Sequence, residues 1–150
     1  MIESVINTPV ALSSNSSVVT FTTDDLRTRS ANCCGWLQHS EGSPLYKILK
    51  GGIYELDLDA VMTSATAGIV ALGIYKDGIL IPNTVSAETI ATAGNLANVS
   101  SKKKIRGCCN ANTTLTIASV PSVFAGATPV ATDTQVPIII NGNLGIRYVC

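Results

Sequence analysis

The sequence contains few charged residues and no excess of either sign. Asp, Glu, Lys and Arg make up 13% of the 150 residues, with ten acidic and ten basic side chains, about half the usual share of about 25%. A net charge of zero gives no sequence-wide attraction to nucleic acid or to an anionic membrane, so neither is expected as a partner. Hydrophobic residues reach 46%, and a monomer this apolar and this uncharged would be poorly soluble. We therefore expect apolar surface to be buried between subunits.

Long apolar runs and targeting signals are also missing. The longest apolar stretch, 60–75, is interrupted by threonine, serine and glycine residues and is too short to span a bilayer. The first residues, Met1 to Ser4, include an acid where a secretory signal has cationic residues, and no apolar segment of signal length follows. The sequence therefore predicts a soluble protein made in a cytoplasm.

Catalytic motifs are missing as well. The sequence has no glycine-rich phosphate loop, no metalloprotease helix motif and no nucleophile elbow. Its single histidine, His39, lies near Cys33 and Cys34, but nothing supplies the group that would orient a Cys–His pair. We therefore predict no enzyme, no cofactor and no metal, and we interpret His39 as a surface or hydrogen-bonded residue.

The stretch from Gly51 to Pro82 carries the clearest structural pattern. Apolar residues occupy one parity, at Tyr54, Leu56, Leu58 and Ala60, and acidic residues the other, at Glu55, Asp57 and Asp59. This period of two predicts a strand that is half-buried against a core. Carboxylates in a row can perform acid–base chemistry or hold calcium, but we interpret this row as the solvated face of the strand.

Two dipeptides predict hairpins. Asp77-Gly78 separates the apolar run 69–75 from the run 79–81, and Asn141-Gly142 separates 138–140 from 144–150. Both dipeptides suit a type I′ turn, which needs positive φ at both central residues. The run 69–75 is apolar on both parities, as expected for a strand covered on both faces.

The spacing of turn signals predicts the fold class. About seven to nine short strands, with turn signals about every 8–12 residues and no strong amphipathic helix, indicate an antiparallel β-sandwich, a jelly roll or a barrel. Further strands are predicted at 18–22, 45–49 and 114–118, while 87–97 is open between helix, strand and loop. Residues 1–17 are predicted to be an arm or an edge strand, since Pro9 argues against a central strand, and 18–150 a single domain.

The cysteines come as two doublets and one terminal residue. The five positions are Cys33, Cys34, Cys108, Cys109 and Cys150. Adjacent residues of a strand point to opposite faces, which disfavours chelation of one zinc ion by a doublet. Disulfides within or between chains remain open for a protein that meets an oxidising medium, and burial as small hydrophobic residues is the leading interpretation.

The basic run Lys102 to Lys104, followed by Arg106, lacks interleaved aromatic residues. Single-stranded nucleic acid is usually held by basic and aromatic side chains together. We therefore interpret the run as the rim of an interface and not as a nucleic-acid site.

The segment NCCGWLQHSEGS at 32–43, with RGCC at 106–109, resembles a family of small proteins encoded in phages and prophages of gut Firmicutes. Between these motifs, the patterns at 52–54, 70–78 and 98–100 are similar to the tumour-necrosis-factor/C1q-like (TNF/C1q-like) jelly rolls found in virion fibres and decoration proteins. The resemblance covers roughly residues 15–150. It implies a trimeric β-sandwich displayed on a virus particle, and it brings no catalytic motif.

The leading functional hypothesis is therefore a structural virion protein, a homotrimeric jelly roll that decorates the phage capsid as a decoration or head-fibre protein. Met1 to about Ser17 is the candidate contact with the major capsid protein or another virion protein. Trp36 and His39 are candidate interface residues. In a threefold assembly, three copies of His39 could meet on the axis and bind a metal or anion. The cysteines are candidates for disulfides or for the interface.

Two other functions remain open. The chain could be the knob of a tail fibre that recognises a host-surface glycan through loops such as 84–98 or 125–134, although aromatic residues, which sugar sites usually employ, make up only 5% of the sequence. It could also be a bacterial or spore-surface C1q-like protein. A collagen-like Gly-X-Y stalk would favour that hypothesis, and the sequence contains none.

Overall fold

The computed structural model describes residues 1–27, 35–81, 83–107, 113–124 and 131–149. These residues form fourteen strands: β1 Ile2–Ile6, β2 Val10–Ala11, β3 Thr23–Arg27, β4 Leu37–His39, β5 Tyr46–Ile48, β6 Gly52–Ser64, β7 Gly68–Lys76, β8 Ile79–Leu80, β9 Ser86–Ile90, β10 Ala97–Gly107, β11 Thr113–Ser119, β12 Ser122–Phe124, β13 Ala131–Asp133 and β14 Pro137–Tyr148. None of the described residues belongs to a helix long and apolar enough to cross a membrane.

The strands form two six-stranded sheets and one separate hairpin. The first sheet has the order β10-β6-β14-β1-β3, with β2 also pairing β14, and the second has the order β4-β5-β11-β7-β8, with β9 also pairing β7. All pairings are antiparallel, and β12 and β13 form the hairpin. Side chains from both sheets share one hydrophobic core. The prediction of an all-β antiparallel sandwich is confirmed.

Strand β6 has the predicted alternation. Its inward residues, from Tyr54 through Leu56 and Leu58 to Ala60, are buried, whereas the acidic residues between them are partly or fully exposed. The strand lies between β10 and β14, so its main-chain groups are paired on both sides. The apolar side chains of the strand then face the core, because the side chains on its opposite face are carboxylates.

The hairpin between β7 and β8 is also confirmed. Asp77 and Gly78 have φ values of 52° and 78°, as a type I′ turn requires. Strand β7 is covered on both faces, as predicted. At Gly73, the outer face is covered so closely that a Cβ atom would lie 2.6 Å from Leu80 Cδ1 and 3.0 Å from Val120 Cγ2.

The second predicted hairpin is wrong. Asn141 and Gly142 lie inside the continuous strand β14, where they oppose Val61 and Ala60 of β6. The two residues form no turn. Instead, the register of β14 against β6 shifts between Ile139 and Asn141, as at a β-bulge. Pairing of β14 with β6 on one side and β1 on the other forms more main-chain hydrogen bonds than a local hairpin could.

The prediction of an N-terminal arm or edge strand is also corrected. Strand β1 pairs with β14 on one side and β3 on the other, so it lies inside the first sheet. Ile2 and Ile6 are buried in the same core cluster as Val19 and Phe21, and residues 1–17 are therefore not separate from the domain that follows. Pro9 lies after β1 and leaves its hydrogen bonds intact.

Two neighbouring assignments change in detail. The predicted strand at 18–22 is an extended segment that makes a single β-bridge, from Val18 to Ala118, and the regular ladder begins only at Thr23. The segment 87–97, left open between helix, strand and loop, continues β9 up to Ile90 and then turns before β10.

Candidate functional site

All five cysteines lie outside the described residues: Cys33, Cys34, Cys108, Cys109 and Cys150. Their predicted roles in disulfides or at an interface stay predictions. The described residues beside them, however, meet at one end of the sandwich, where β6 begins. Gly107 lies opposite Gly52, the first residue of β6. The Val149 amide donates a hydrogen bond to the Ile53 carbonyl at 2.8 Å, and the Tyr54 hydroxyl donates to the Trp36 carbonyl at 3.1 Å.

Trp36 belongs to an aromatic cluster at this end. Its ring centroid lies 5.7 Å from that of Tyr54 and 6.3 Å from that of Tyr148, and the two tyrosine rings meet edge to face at 5.3 Å. Lys50 Nζ lies 4.6 Å from the centre of the Tyr148 ring, a cation–π distance. Burial raises the pKa of Tyr54 to about 12. The cluster closes the end of the core, and Trp36 keeps partial exposure, so an interface role for it remains a prediction.

His39 lies inside the sandwich. Its side chain is fully buried, and its ring stacks on that of Tyr46 at a centroid distance of 3.9 Å and an interplanar angle of 9°. Nδ1 lies 3.1 Å from the Leu45 carbonyl oxygen, and Nε2 lies 3.3 Å from Asp24 Oδ1. This side chain offers no surface to another subunit. The predicted interface role of His39 is thus corrected to a role that joins β4 of one sheet to β3 of the other.

Asp24 is the member of this cluster that sequence reasoning missed. It accepts a hydrogen bond of 2.5 Å from the Ser4 hydroxyl, and it forms an ion pair with His39 whenever the imidazole is protonated. Serine, histidine and aspartate therefore meet, but not in a catalytic order, because the hydroxyl bonds the carboxylate and not the imidazole. Ser4 has no exposed surface, so no substrate can reach it. Burial also raises the pKa of the Tyr46 hydroxyl beside them.

The acidic row of β6 forms ion pairs across the outer face of the first sheet. Lys102 Nζ lies 3.3 Å from carboxylate oxygens of both Glu55 and Asp57, and Arg147 donates to Glu55 at 3.0 Å. The hydrogen bond from Lys102 holds the pKa of Glu55 below its ordinary value, and hydrogen bonds to Asp57 and Glu55 raise that of Lys102. A carboxylate held ionised in this way is a poor general acid.

A shallow groove crosses the same face above Gly145. Its volume is about 170 Å³, and its lining consists of Met1, Glu55, Asp57, Lys102, Gly145, Ile146 and Arg147. Gly145 contributes no side chain to this lining. The flanking acids and bases already neutralise each other, which leaves little net charge to attract an ionic ligand. Among the described residues, no group of three or more His, Cys, Asp or Glu side chains could hold a metal ion.

The basic run of β10 does not form a single patch. Lys102, Lys104 and Arg106 share one parity of the strand, while Lys103 takes the other. Lys102 is committed to the acidic row. Lys102 therefore contributes to the ion pairs on the outer face of the sheet, and the interpretation of the run as the rim of an interface stays a prediction.

No protein-family model and no curated protein sequence matches this chain. Solved structures do match its fold. The globular domain of zebrafish complement 1qA protein superposes with a TM-score of 0.59 and 12% identity, over 95% of this chain and 92% of that one. The fold is a TNF/C1q-like jelly roll.

Two further structures agree with this assignment. Murine APRIL at pH 5.0 has a TM-score of 0.56 and 12% identity, with coverage of 95% of this chain and 97% of that one. The Eiger TNF from S. frugiperda reaches 0.60 with 6% identity, with coverage of 99% and 91%. The predicted jelly-roll type is thereby confirmed. At these identities the likeness establishes the fold and no function.

Proposed function

We propose that this chain is a non-catalytic structural protein of a virus particle, a self-associating jelly roll that decorates the capsid surface. The observation that carries the proposal is the TNF/C1q-like jelly roll, which extends over nearly the whole chain. The resemblance of the 32–43 segment to phage and prophage proteins supports the placement on a virion.

The polar side chains described above support a structural role. Asp24 and His39 join the two sheets from inside, and Glu55 is neutralised by Lys102 and Arg147 on the outer face. Each of these groups is either buried or already paired, whereas a catalytic group must reach a substrate. These polar groups therefore favour a structural role over a catalytic one.

Exposed apolar side chains support self-association. Large hydrophobic residues with substantial exposure are Met1, Val18, Leu45, Leu49, Ile53, Ile79, Val85, Leu96, Phe124, Val136 and Val149. A chain with zero net charge has little electrostatic repulsion to keep such surfaces apart. We propose that part of this surface is buried in a homotrimer. The N-terminal arm is no longer the proposed capsid contact, because β1 is held in the first sheet.

The first measurement is the mass of the purified protein by light scattering, with and without reductant. We expect a stable mass near three times 15.6 kDa. A trimer that dissociates on reduction would assign intersubunit disulfides to the cysteines, and a monomer under both conditions would contradict the proposal. The virion placement has its own test, which is mass spectrometry of purified phage particles induced from the host bacterium. Absence of the chain from those particles would rule that placement out.

A further inference from the structure

Strand β10, which carries the basic run, lies at the edge of the first sheet. Its one strand partner in that sheet is β6, and two contacts show which main-chain groups point away from β6. The Ser100 amide donates to the Ser86 hydroxyl at 3.2 Å, and the Arg106 carbonyl accepts from Lys76 Nζ at 2.9 Å. The even-numbered residues of β10 therefore direct their main-chain groups to the open side, because main-chain directions alternate along an antiparallel strand.

Lys102 and Lys104 lie between these two contacts. In an antiparallel strand, the N–H and the C=O of one residue point to the same side, so both groups of both lysines face the open edge. Within the described residues, these amides and carbonyls form no hydrogen bond on that side. An edge with free donors and acceptors is a template for a further strand.

The side chains beside this edge include cations without a partner. Lys104 and Arg106 are exposed, and Lys103, on the other face of the strand, is partly exposed. All ten acidic residues of the sequence lie in the described part of the chain, and none of them forms an ion pair with these three side chains. Only Lys102 is already paired, with two acids of β6. The open edge is therefore flanked by uncompensated positive charge.

This charge disfavours pairing with a second copy of the protein. Two β10 edges would place their lysines on facing strands, and like charges directly opposite each other are destabilising. Lysines on an edge strand are a common protection against such pairing. The same repulsion becomes attraction when the incoming strand carries acidic side chains.

The main-chain groups of the edge distinguish a peptide from other anions. A phosphate or sulfate polymer would be attracted by the cations, but it would also meet the carbonyl oxygens of Lys102 and Lys104, which accept hydrogen bonds and repel negative charge. An extended peptide supplies N–H donors for these carbonyls and C=O acceptors for the amides. An acidic peptide therefore complements both the charge and the hydrogen-bonding groups of the edge.

We propose that the open edge of β10 binds an extended acidic segment of another protein, which adds to the first sheet as a further strand beside Lys102 and Lys104. Main-chain hydrogen bonds hold the segment, and the cations of Lys103, Lys104 and Arg106 select its acidic side chains. The free edge between the two contacts, 101–105, is short, so we expect a Kd of about 1 mM.

This binding does not depend on where the protein is displayed or on its oligomeric state. A failure of the peptide test therefore leaves the trimer measurement untouched, and the reverse also holds.

The test is a titration of the intact ¹⁵N-labelled protein with blocked peptides, followed by NMR. The first peptide alternates glutamate with valine, and the second has the same sequence with every main-chain amide N-methylated, which keeps the charge but cannot donate hydrogen bonds. A peptide that alternates lysine with valine and an inorganic polyphosphate complete the set. Each probe is added up to about 5 mM, which detects a Kd of about 1 mM.

We expect the glutamate–valine peptide to shift amide signals of β10 and to slow hydrogen exchange at the Lys102 and Lys104 amides. The other three probes should bind at least about tenfold more weakly. Equal binding of the N-methylated peptide would contradict addition of a strand, and tighter binding of polyphosphate would contradict a peptide ligand. No binding of the glutamate–valine peptide would overturn the proposal.

Charge reversal assigns the site. The double change Lys103→Glu and Lys104→Glu should weaken binding of the glutamate–valine peptide at least about tenfold and should strengthen binding of the lysine–valine peptide. An unfolded variant could not show this gain. Lys47→Glu is the matched control, because Lys47 is a partly exposed lysine of β5 in the other sheet, and it should bind both peptides like the parent. Unchanged affinities in the double variant, or equal losses in the control, would also overturn the proposal.

Discussion

His39 was visible in the sequence as a solitary histidine, but its environment was not. The interpretation as a hydrogen-bonded residue holds, since both ring nitrogens lie near oxygen atoms. Its partner Asp24 is on a different strand of the other sheet, and no local spacing connects the two positions. Burial of polar groups requires such partners, yet a single sequence does not say which residue supplies them.

Replacement of His39 by alanine should destabilise the fold strongly. The change removes a buried ring stacked on Tyr46 and takes away the group that faces Asp24, so we expect a loss of about 3 kcal/mol of unfolding free energy. Urea unfolding monitored by tryptophan fluorescence measures it. Gln38→Ala, at an exposed position of the same strand, is the control and should stay within about 0.5 kcal/mol of the parent. Equal effects of the two changes would contradict a stabilising contact between His39 and the opposite sheet.

At the scale of single elements, local patterns predicted the structure wherever local interactions decide it. The alternation of β6 and the Asp77-Gly78 turn are both set within a few residues, and both are confirmed. Asn141-Gly142 has a similar local signal but lies between two partner strands. There the pairing with the two partner strands outweighs the local turn preference. The pattern of a single segment does not reveal those partners.

A glycine in a turn and a glycine inside a strand offer a direct comparison. Gly78→Ala should cost about 1 kcal/mol of stability, because the residue has a φ of 78°, a conformation that disfavours side chains. Gly145→Ala should be nearly neutral, since a Cβ there would meet its nearest atom, the Cβ of Asp57, at an ordinary 3.7 Å. Urea midpoints of the two variants measure the difference. If Gly145→Ala is as costly as Gly78→Ala, the strain at the turn is not the cause.

For the whole molecule, composition and turn spacing were enough to predict the sandwich class. They could not predict that the first strand pairs with the last. Ile2 lies opposite Ile146, a contact between chain ends for which the sequence has no local pattern. Pro9 suggested an edge strand, but it lies after the end of β1 and removes no hydrogen bond from that strand. Such non-local pairings also carry a loop-closure cost that tends to slow folding.

A substitution in β1 tests its place in the core. Ile6→Ala should reduce the unfolding free energy by about 2–4 kcal/mol, because Ile6 is 1% exposed and the change leaves a cavity. Thr8→Ala, at an exposed position just after β1, is the control and should change stability by no more than about 0.5 kcal/mol. Both values come from urea unfolding curves. A near-neutral Ile6→Ala would restore the N-terminal segment as an arm.

The pairing of β1 with β14 brings the two described ends of the chain to the same side of the sandwich. Residue 2 lies beside residue 146, and the Val149 amide donates a hydrogen bond to the Ile53 carbonyl near the start of β6. Both described ends of the chain therefore lie at the end of the sandwich where β6 begins. A tag, a grafted domain or a surface joined covalently at either of these ends would hold the protein by that side and point the opposite side, where β6 finishes, outward. The same proximity means that a short linker could join the termini and the chain could be reopened within 91–96, giving a circular permutant held from its opposite end.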